Sequence, residues 1–383
     1  MPCESVPALF SCEDYDPPRV RDSLVRALEA VGGLDWVSPG MRVGLKLNLC
    51  AARRPEQAAT THPTVAAELT RLLRERGAEV VAGDSPGEPF TAAVLNHVYA
   101  VGEYQRIEEA GGRLNRDYST VEIPFPRGVT LRSIPVCRWV TECDALINVC
   151  KLKSHGLMNM TAAVKNLFGV IPGTVKSEMH FRYRDPGAFA HIMVDLNECL
   201  RPAVTVVDAV DIMEGNGPTK GVPRHLGALI AGRDPYAVDR LCAALLEMEE
   251  SEIPCLIAAA ERGLMPPGGA PVCQTDYSPF LLPDFQRSGA TSSWFLLSEE
   301  DPLPLRVAKK TLAAAMRSRP RLGDGCTGCG HCASLCPAHA ITIKNKKAVI
   351  DRGACVRCFC CQEFCPSGAM RVQRSPIARL LSR

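Results

Sequence analysis

From residue 42 to residue 82 the apolar positions change period twice. Residues 42–49 alternate apolar and polar or small side chains in the manner of a strand. Residues 63–76 place Val65, Leu69, Leu72 and Leu73 on one helical face, with Pro63 in the first turn and Gly77 as the stop. A short apolar run at 79–82 then reads as a second strand, completing a βαβ unit and implying a parallel sheet. Further buried strands are predicted at 145–149, 204–207 and 227–231, and helices near 161–168, 187–200, 235–247 and 254–262. The segment 121–136, turning at Arg127-Gly128, reads as an antiparallel hairpin. The fold class that follows is α/β, a mostly parallel sheet flanked by helices, with a small C-terminal α+β domain. A Pro/Gly-rich stretch at 266–283 closes the large segment, and a connecting helix, apolar on one face and basic on the other, is predicted at 303–316. The expected division is 1–295, a basic linker at 296–321, a small domain at 322–374 and a tail at 375–383.

Composition narrows the class. In 383 residues, 46% are apolar and 22% charged, as in an ordinary globular protein. No apolar run reaches the roughly 18 residues of a membrane span. No basic segment followed by an apolar one opens the chain, so a cytoplasmic location is expected. Nucleic-acid binding is not expected, with 5% aromatic residues and no recognition module. The 19 cysteines, scattered as well as clustered, suggest a reducing and oxygen-poor, anaerobic setting.

Eight of those cysteines form two runs, Cys326, Cys329, Cys332, Cys336-Pro337 and Cys355, Cys358, Cys361, Cys365-Pro366. Each reads C-x2-C-x2-C-x3-C-P, the bacterial ferredoxin spacing, in which three thiolates hold one [4Fe-4S] cube and the fourth crosses to the other. One cluster is therefore assigned to Cys326, Cys329, Cys332 and Cys365, and the other to Cys355, Cys358, Cys361 and Cys336. The runs repeat at a constant offset of 29 residues, 326 to 355 and 336 to 365, and the repeat extends into short strands at 341–343 and 370–372. Paired zinc knuckles or a disulfide scaffold fit poorly, because zinc sites take four ligands each without this crossing. A segment this short builds little apolar core, so the clusters are expected to hold it together. Cys360 falls between ligands and reads as a spare thiol. Residues 322–374 hold seven basic and three acidic side chains, a balance that would attract an acidic electron donor such as a ferredoxin or flavodoxin.

In open α/β sheets ligands bind beyond the carboxyl ends of the strands. The first strand leads to Lys46, Asn48 and His62, and the second to Gly83-Asp84-Ser85-Pro86-Gly87. The strand at 145–149 runs into Lys151, Lys153 and His155, followed by Lys165 and Asn166; Asp208, Asp211, Glu214 and Asn216 follow the strand at 204–207. Individually the carboxylates read as turn caps and His62 as a surface residue. Four cationic or titratable groups at 151–165 are hard to explain by packing, and they point to a pocket for a small anion.

The motifs 46–49, 62–63, 83–87, 151–155, 163–169 and 214–218 resemble, in order, the signatures of the prokaryotic family catalogued as domain of unknown function 362, over about residues 5–290. Fusion to a two-cluster ferredoxin is a common arrangement that the resemblance implies; it implies no general activity. Leu47, Cys50 and Ser154 depart from the usual pattern, and Cys50 brings a thiol to the expected pocket.

The favoured expectation is a reductase in which two [4Fe-4S] clusters pass electrons to an anionic substrate. Lys46, Asn48, Asp84, Ser85, Lys151, Lys153, Asn166, Asp208, Glu214 and Asn216 would bind it, with Lys165 and His155 catalytic and His155 the proton donor. One alternative is an electron-transfer subunit that docks a partner enzyme. Another is a non-redox enzyme with structural clusters, in which Asp208, Asp211 and Glu214 hold a divalent cation. No nicotinamide fingerprint or Walker A motif is present. A flavin stays open, since many flavin sites lack a local signature.

Overall fold

The computed structural model describes residues 6–265, 271–288, 304, 308 and 318–373. Apart from 304 and 308, the expected connecting helix at 303–316 lies outside the described residues, as does the tail at 375–383. The predicted βαβ unit is β2 (Arg42–Lys46), α2 (Pro63–Glu75) and β3 (Glu79–Gly83). Helix α2 begins where the sequence indicates: the His62 side chain caps it by accepting from Thr64 N, and Pro63 occupies its first turn, where no N–H is needed.

These strands belong to an eight-stranded sheet with β1 (Ala8–Ser11), β4 (Arg113–Leu114), β7 (Ala145–His155), β8 (Asn159–Thr161), β9 (Val204–Glu214) and β10 (Val222–Gly232). The order is β1-β10-β9-β7-β2-β3-β4, with β8 paired to the far end of β7. Pairs from β9 through β7, β2 and β3 to β4 are parallel; β1, β10 and β8 pair antiparallel. Because β3 and β7 lie on opposite sides of β2, the strand order reverses there. The crevice beyond the carboxyl ends of β2 and β7 is therefore the switch point at which such sheets bind ligands. Two apolar cores cover the two sheet faces, one built around Leu45, Leu69 and Val149, the other around Leu152, Phe168 and Leu241.

Several expectations are corrected in extent. β2 stops at Lys46, freeing residues 47–49 as a loop. β7 and β9 run on to His155 and Glu214, so Lys151, Lys153 and Asp208 sit within strands instead of beyond them. The expected helix at 161–168 is a single turn, α5 (Ala163–Asn166), continued as a 3-10 turn at Leu167–Val170. Helices α1 (Pro17–Ala30), α3 (Ala92–Val101) and α6 (Val175–Arg182) were not predicted. The expected hairpin is β5 (Thr120–Pro124) with β6 (Ser133–Cys137).

The C-terminal module has two antiparallel pairs, β11 (Arg319–Leu322) with β14 (Met370–Gln373) and β12 (Ile341–Lys344) with β13 (Lys347–Ile350). β11 starts inside the segment expected to be linker. Two one-turn helices, α10 (His331–Ser334) and α11 (Cys360–Glu363), complete it. Its largest apolar cluster is Cys332, Ile341, Ala348, Cys361, Cys365, Ala369 and Met370, three of them cluster-type cysteines.

Candidate active site

Where β2 ends, Lys46 Nζ pairs with Asp84 Oδ1 at 2.8 Å, and both side chains are buried. The other Asp84 oxygen accepts from Leu49 N at 2.6 Å, so the carboxylate fixes the loop after β2. Gly169 lies directly over this pair: a Cβ there would stand 2.0 Å from Asp84 Oδ1, which is why only glycine fits. Asn166 accepts from Asn48 Nδ2 at 2.9 Å and donates to Asn148 Oδ1 at 2.8 Å, tying α5 to the loop after β2 and to β7. The result is a rigid, satisfied polar floor.

Above it are three buried lysines with different duties. Lys153 Nζ donates to Asn48 Oδ1 at 2.6 Å and Ala59 O at 2.7 Å and contacts Cys50 Sγ at 3.6 Å. Lys176 Nζ donates to Ser85 O, Pro86 O and Ile171 O. An ammonium has three protons, so both are saturated. Burial pushes the Lys153 pKa down and that of Lys176 down to about 8. Lys165 has no hydrogen-bond or ion-pair partner among the described residues; its ammonium lies 5.6 Å from the centre of the Phe168 ring. It is the pocket lysine free to meet an anion.

Two buried histidines face the same space. His155 Nδ1 accepts from Leu157 N and Met158 N at 3.0 and 3.1 Å, which puts the ring proton on Nε2. That Nε2 is buried and makes no hydrogen bond. His180 Nδ1 is likewise buried and unbonded, its ring stacked 4.2 Å from that of Phe189. Burial first and the Lys165 charge second hold His155 well below its ordinary pKa and His180 down to about 3. Both rings are therefore neutral at pH 7. His155, expected as the proton donor, presents a neutral N–H to the cavity.

The remaining wall comes from the cysteine-rich module. Gln362 Nε2 donates to Asn216 Oδ1 at 3.0 Å and Gly217 O at 2.9 Å, Thr219 Oγ1 donates to Glu363 O, and Lys220 Nζ donates to Pro366 O at 2.5 Å. Seated this way, α11 turns Glu363 and Phe364 into the pocket. Glu363 Oε2 lies 4.0 Å from His155 Nε2. Within the module, the electrostatic neighbours of the Cys332 thiol are Cys365, Cys329 and Cys326, and those of Cys355 include Cys358 and Cys336. Eight thiols grouped in this crossed manner fit two cubes of four thiolate ligands each. Cys360 is buried against Leu335 and Phe364.

The cavity is small, about 50 Å³, several times the roughly 10–15 Å³ one water needs. It lies far below the roughly 300 Å³ and upward of typical cofactor sites. Asn48, Asp84, Ser85, Lys153, His155, Lys165 and Asn166 line it, as expected. Five expected ligands do not. Lys46 is consumed by Asp84, and Lys151 pairs with Asp208 at 3.0 Å and with the Tyr15 hydroxyl at 2.7 Å, away from the pocket. Asn216 holds the module, and Glu214 accepts from Gln286 N at 3.1 Å. The cation site imagined from Asp208, Asp211 and Glu214 is not formed: Asp211 pairs with His225 at 2.9 Å, and among the described residues no three His, Cys, Asp or Glu side chains converge on one ion position. Lys176, His180, Glu363 and Phe364 line the pocket without having been foreseen. Lys176 and His180, one turn apart on α6, were legible as a pair facing one way; the other two were not.

An α/β domain with a polar pocket at its switch point, walled by a dicluster ferredoxin module, defines the class. The chain belongs to the family described as Domain of unknown function (DUF362), whose model matches residues 43–244, and residues 325–369 match a 4Fe-4S dicluster domain. It is thus an iron-sulfur protein. The thylakoid-associated protein sll1697 of Synechocystis sp. is 32% identical over 266 residues, covering 68% of this chain and 80% of that protein. Among solved structures, the lactate racemase apoprotein from Thermoanaerobacterium thermosaccharolyticum aligns with a TM-score of 0.41 and 13% identity over 65% of this chain. A Thermotoga maritima protein aligns with a TM-score of 0.38 and 15% identity over 61% of it. The chain spans 59% of the length of each. No helix among the described residues is long and apolar enough to cross a membrane.

Proposed function

We propose that this protein is an iron-sulfur reductase that adds electrons to a small anionic substrate held at the β2/β7 crevice. Cys326, Cys329, Cys332 and Cys365 would hold one [4Fe-4S] cluster, and Cys355, Cys358, Cys361 and Cys336 the other. When bound, the clusters supply electrons one at a time. The observation that carries the reading is the segment between Cys361 and Cys365: Gln362 fastens the module, while Glu363 and Phe364 face the cavity. A ligand in that cavity touches the chain that binds the clusters.

Reducing a double bond X=Y to HX–YH takes two electrons and two protons. Lys165 holds the anionic group and relays one of the two protons, regaining it from solvent, while the second comes from a water that enters the cavity with the substrate and leaves as hydroxide to be neutralised outside. The Nε2–H of His155 donates to the atom that gains negative charge, as a neutral imidazole does when its site keeps it from charging. Burial excludes bulk water and strengthens both contacts. The ten described cysteines outside the two runs form no disulfide, in keeping with action in a reducing cytoplasm.

The test is anaerobic reduction of the purified protein followed by mixing with short 2-enoates and short 2-oxo acids. One of these is expected to reoxidise the clusters at a rate that falls with Lys165→Met and His155→Phe. Turnover that survives removal of the clusters would sink the proposal. A stable complex with another enzyme, together with no anion binding, would favour the electron-transfer-subunit reading.

A further inference from the structure

The two strand pairs of the ferredoxin module carry an arrangement that its own fold does not need. In the β11/β14 pair Arg321 stands directly opposite Arg371, and in the β12/β13 pair Lys344 stands opposite Lys347. Like charges directly opposite in an antiparallel pair destabilise it. All four side chains are exposed, and none has an acidic partner among the described residues. Arg321, Arg371 and Lys347 border a groove of about 590 Å³ that also exposes Cys326, with Asp324 as its sole carboxylate among the described residues. Lys346, at the β12/β13 turn, packs its backbone against Gly328, where a Cβ would meet Lys346 O at 2.6 Å. The positive charge is thereby held over the loop between Cys326 and Cys329, and Cys329 is exposed.

We propose that this groove is the docking surface of an acidic one-electron carrier protein, which delivers electrons at the Cys326/Cys329 loop, while Glu363 and Phe364 face the pocket. The proposal rests on the reductase reading for its direction of flow. Charge complementarity is the argument: two unneutralised cationic pairs flank one cluster-binding loop, and opposite charge on a partner relieves the repulsion and steers encounter. The concave form, with a cysteine in its lining, fits a protein projection better than a flat lipid surface.

The test uses the full-length, cluster-loaded protein and an oxidised acidic flavodoxin. Binding is measured by calorimetry across ionic strength, so that no redox step enters. Expected are affinity that falls with salt and a loss of about tenfold or more in Arg321→Glu/Arg371→Glu. A second variant, Lys344→Glu/Lys347→Glu, guards against a local folding failure and should lose as much, with iron content unchanged in both. The rate of cluster reduction by flavodoxin hydroquinone should fall in parallel, and reduction by photoreduced deazaflavin, a small molecule, should not. Unchanged affinity in both variants, or charge-dependent binding to phosphatidylglycerol vesicles with none to flavodoxin, overturns the docking surface alone. Clusters that deazaflavin also fails to reduce would overturn the redox reading beneath it.

Discussion

Phe364 rests on the bare backbone of Gly87: a Cβ at residue 87 would stand 1.9 Å from Cε1 of the ring. One residue belongs to the loop after β3 and the other lies beside Cys365, a proposed cluster ligand, so their contact joins the two domains at the pocket. Gly87→Ala should force the ring away, an overpacking cost of about 1–3 kcal/mol. Iron content is expected to stay constant while substrate-dependent cluster reoxidation falls about tenfold. Adding Phe364→Ala should recover part of that loss; no recovery in the double variant would detach the effect from this contact.

Lys165 and Lys151 should respond differently to the same change. Lys165→Met removes an ammonium that has no hydrogen-bond or ion-pair partner among the described residues, so the ligand-free protein should keep its stability to within about 1 kcal/mol while anion affinity drops at least about tenfold. Lys151→Met leaves Asp208 buried without its cation and should cost about 3–5 kcal/mol. Urea midpoints of the two variants check this directly. Equal destabilisation by both would mean that Lys165 is structural.

His155 and His180 are buried, His62 is half-buried, and all three are held neutral, His62 and His180 with pKa values pushed down to about 3, mainly by desolvation. Unfolded, each takes up a proton below about 6.5, so the unfolded state binds more protons and stability falls as pH drops from about 6.5 towards 3. The slope approaches about 1.4 kcal/mol per pH unit for each ring. His180→Phe, which preserves the stack on Phe189 and breaks no hydrogen bond of Nδ1, should remove about a third of it. Denaturant midpoints from pH 7 to pH 4 measure the change. Asp239 works against this trend: burial raises it to about 7, so its contribution favours the folded state below that pH.

Iron removal should unfold the module selectively. Its apolar cluster is made largely of cysteines and a few small or medium side chains, whereas the α/β domain has two large cores. After chelation, limited proteolysis is expected to cut within 318–373 and to leave the sheet domain intact. Equal resistance in the iron-free protein would contradict that dependence.

Lys153 and Lys165 show where sequence reading stops. Both stand in one strand-loop-helix segment and read alike, yet Lys153 is saturated by Asn48 and Ala59 while Lys165 is not. The acceptors that separate them are a side chain and a backbone carbonyl from another loop, which no local pattern encodes. Lys151 and Asp208 likewise read as pocket residues until the β7/β9 register set them opposite each other and closed the pair.

What the sequence determined by itself is whatever the chain's own spacing controls. The eight cysteines are legible because ligand separation along a loop sets which thiols can wrap one cube, and the βαβ unit because periodicity sets which face is buried. Tertiary structure decided the rest: which lysine keeps its protons free, that Asn216 holds a module instead of a ligand, and that Phe364 closes the cavity over Gly87. Those outcomes depend on short-range contacts between segments distant in the chain, and only the packed fold brings such segments within reach.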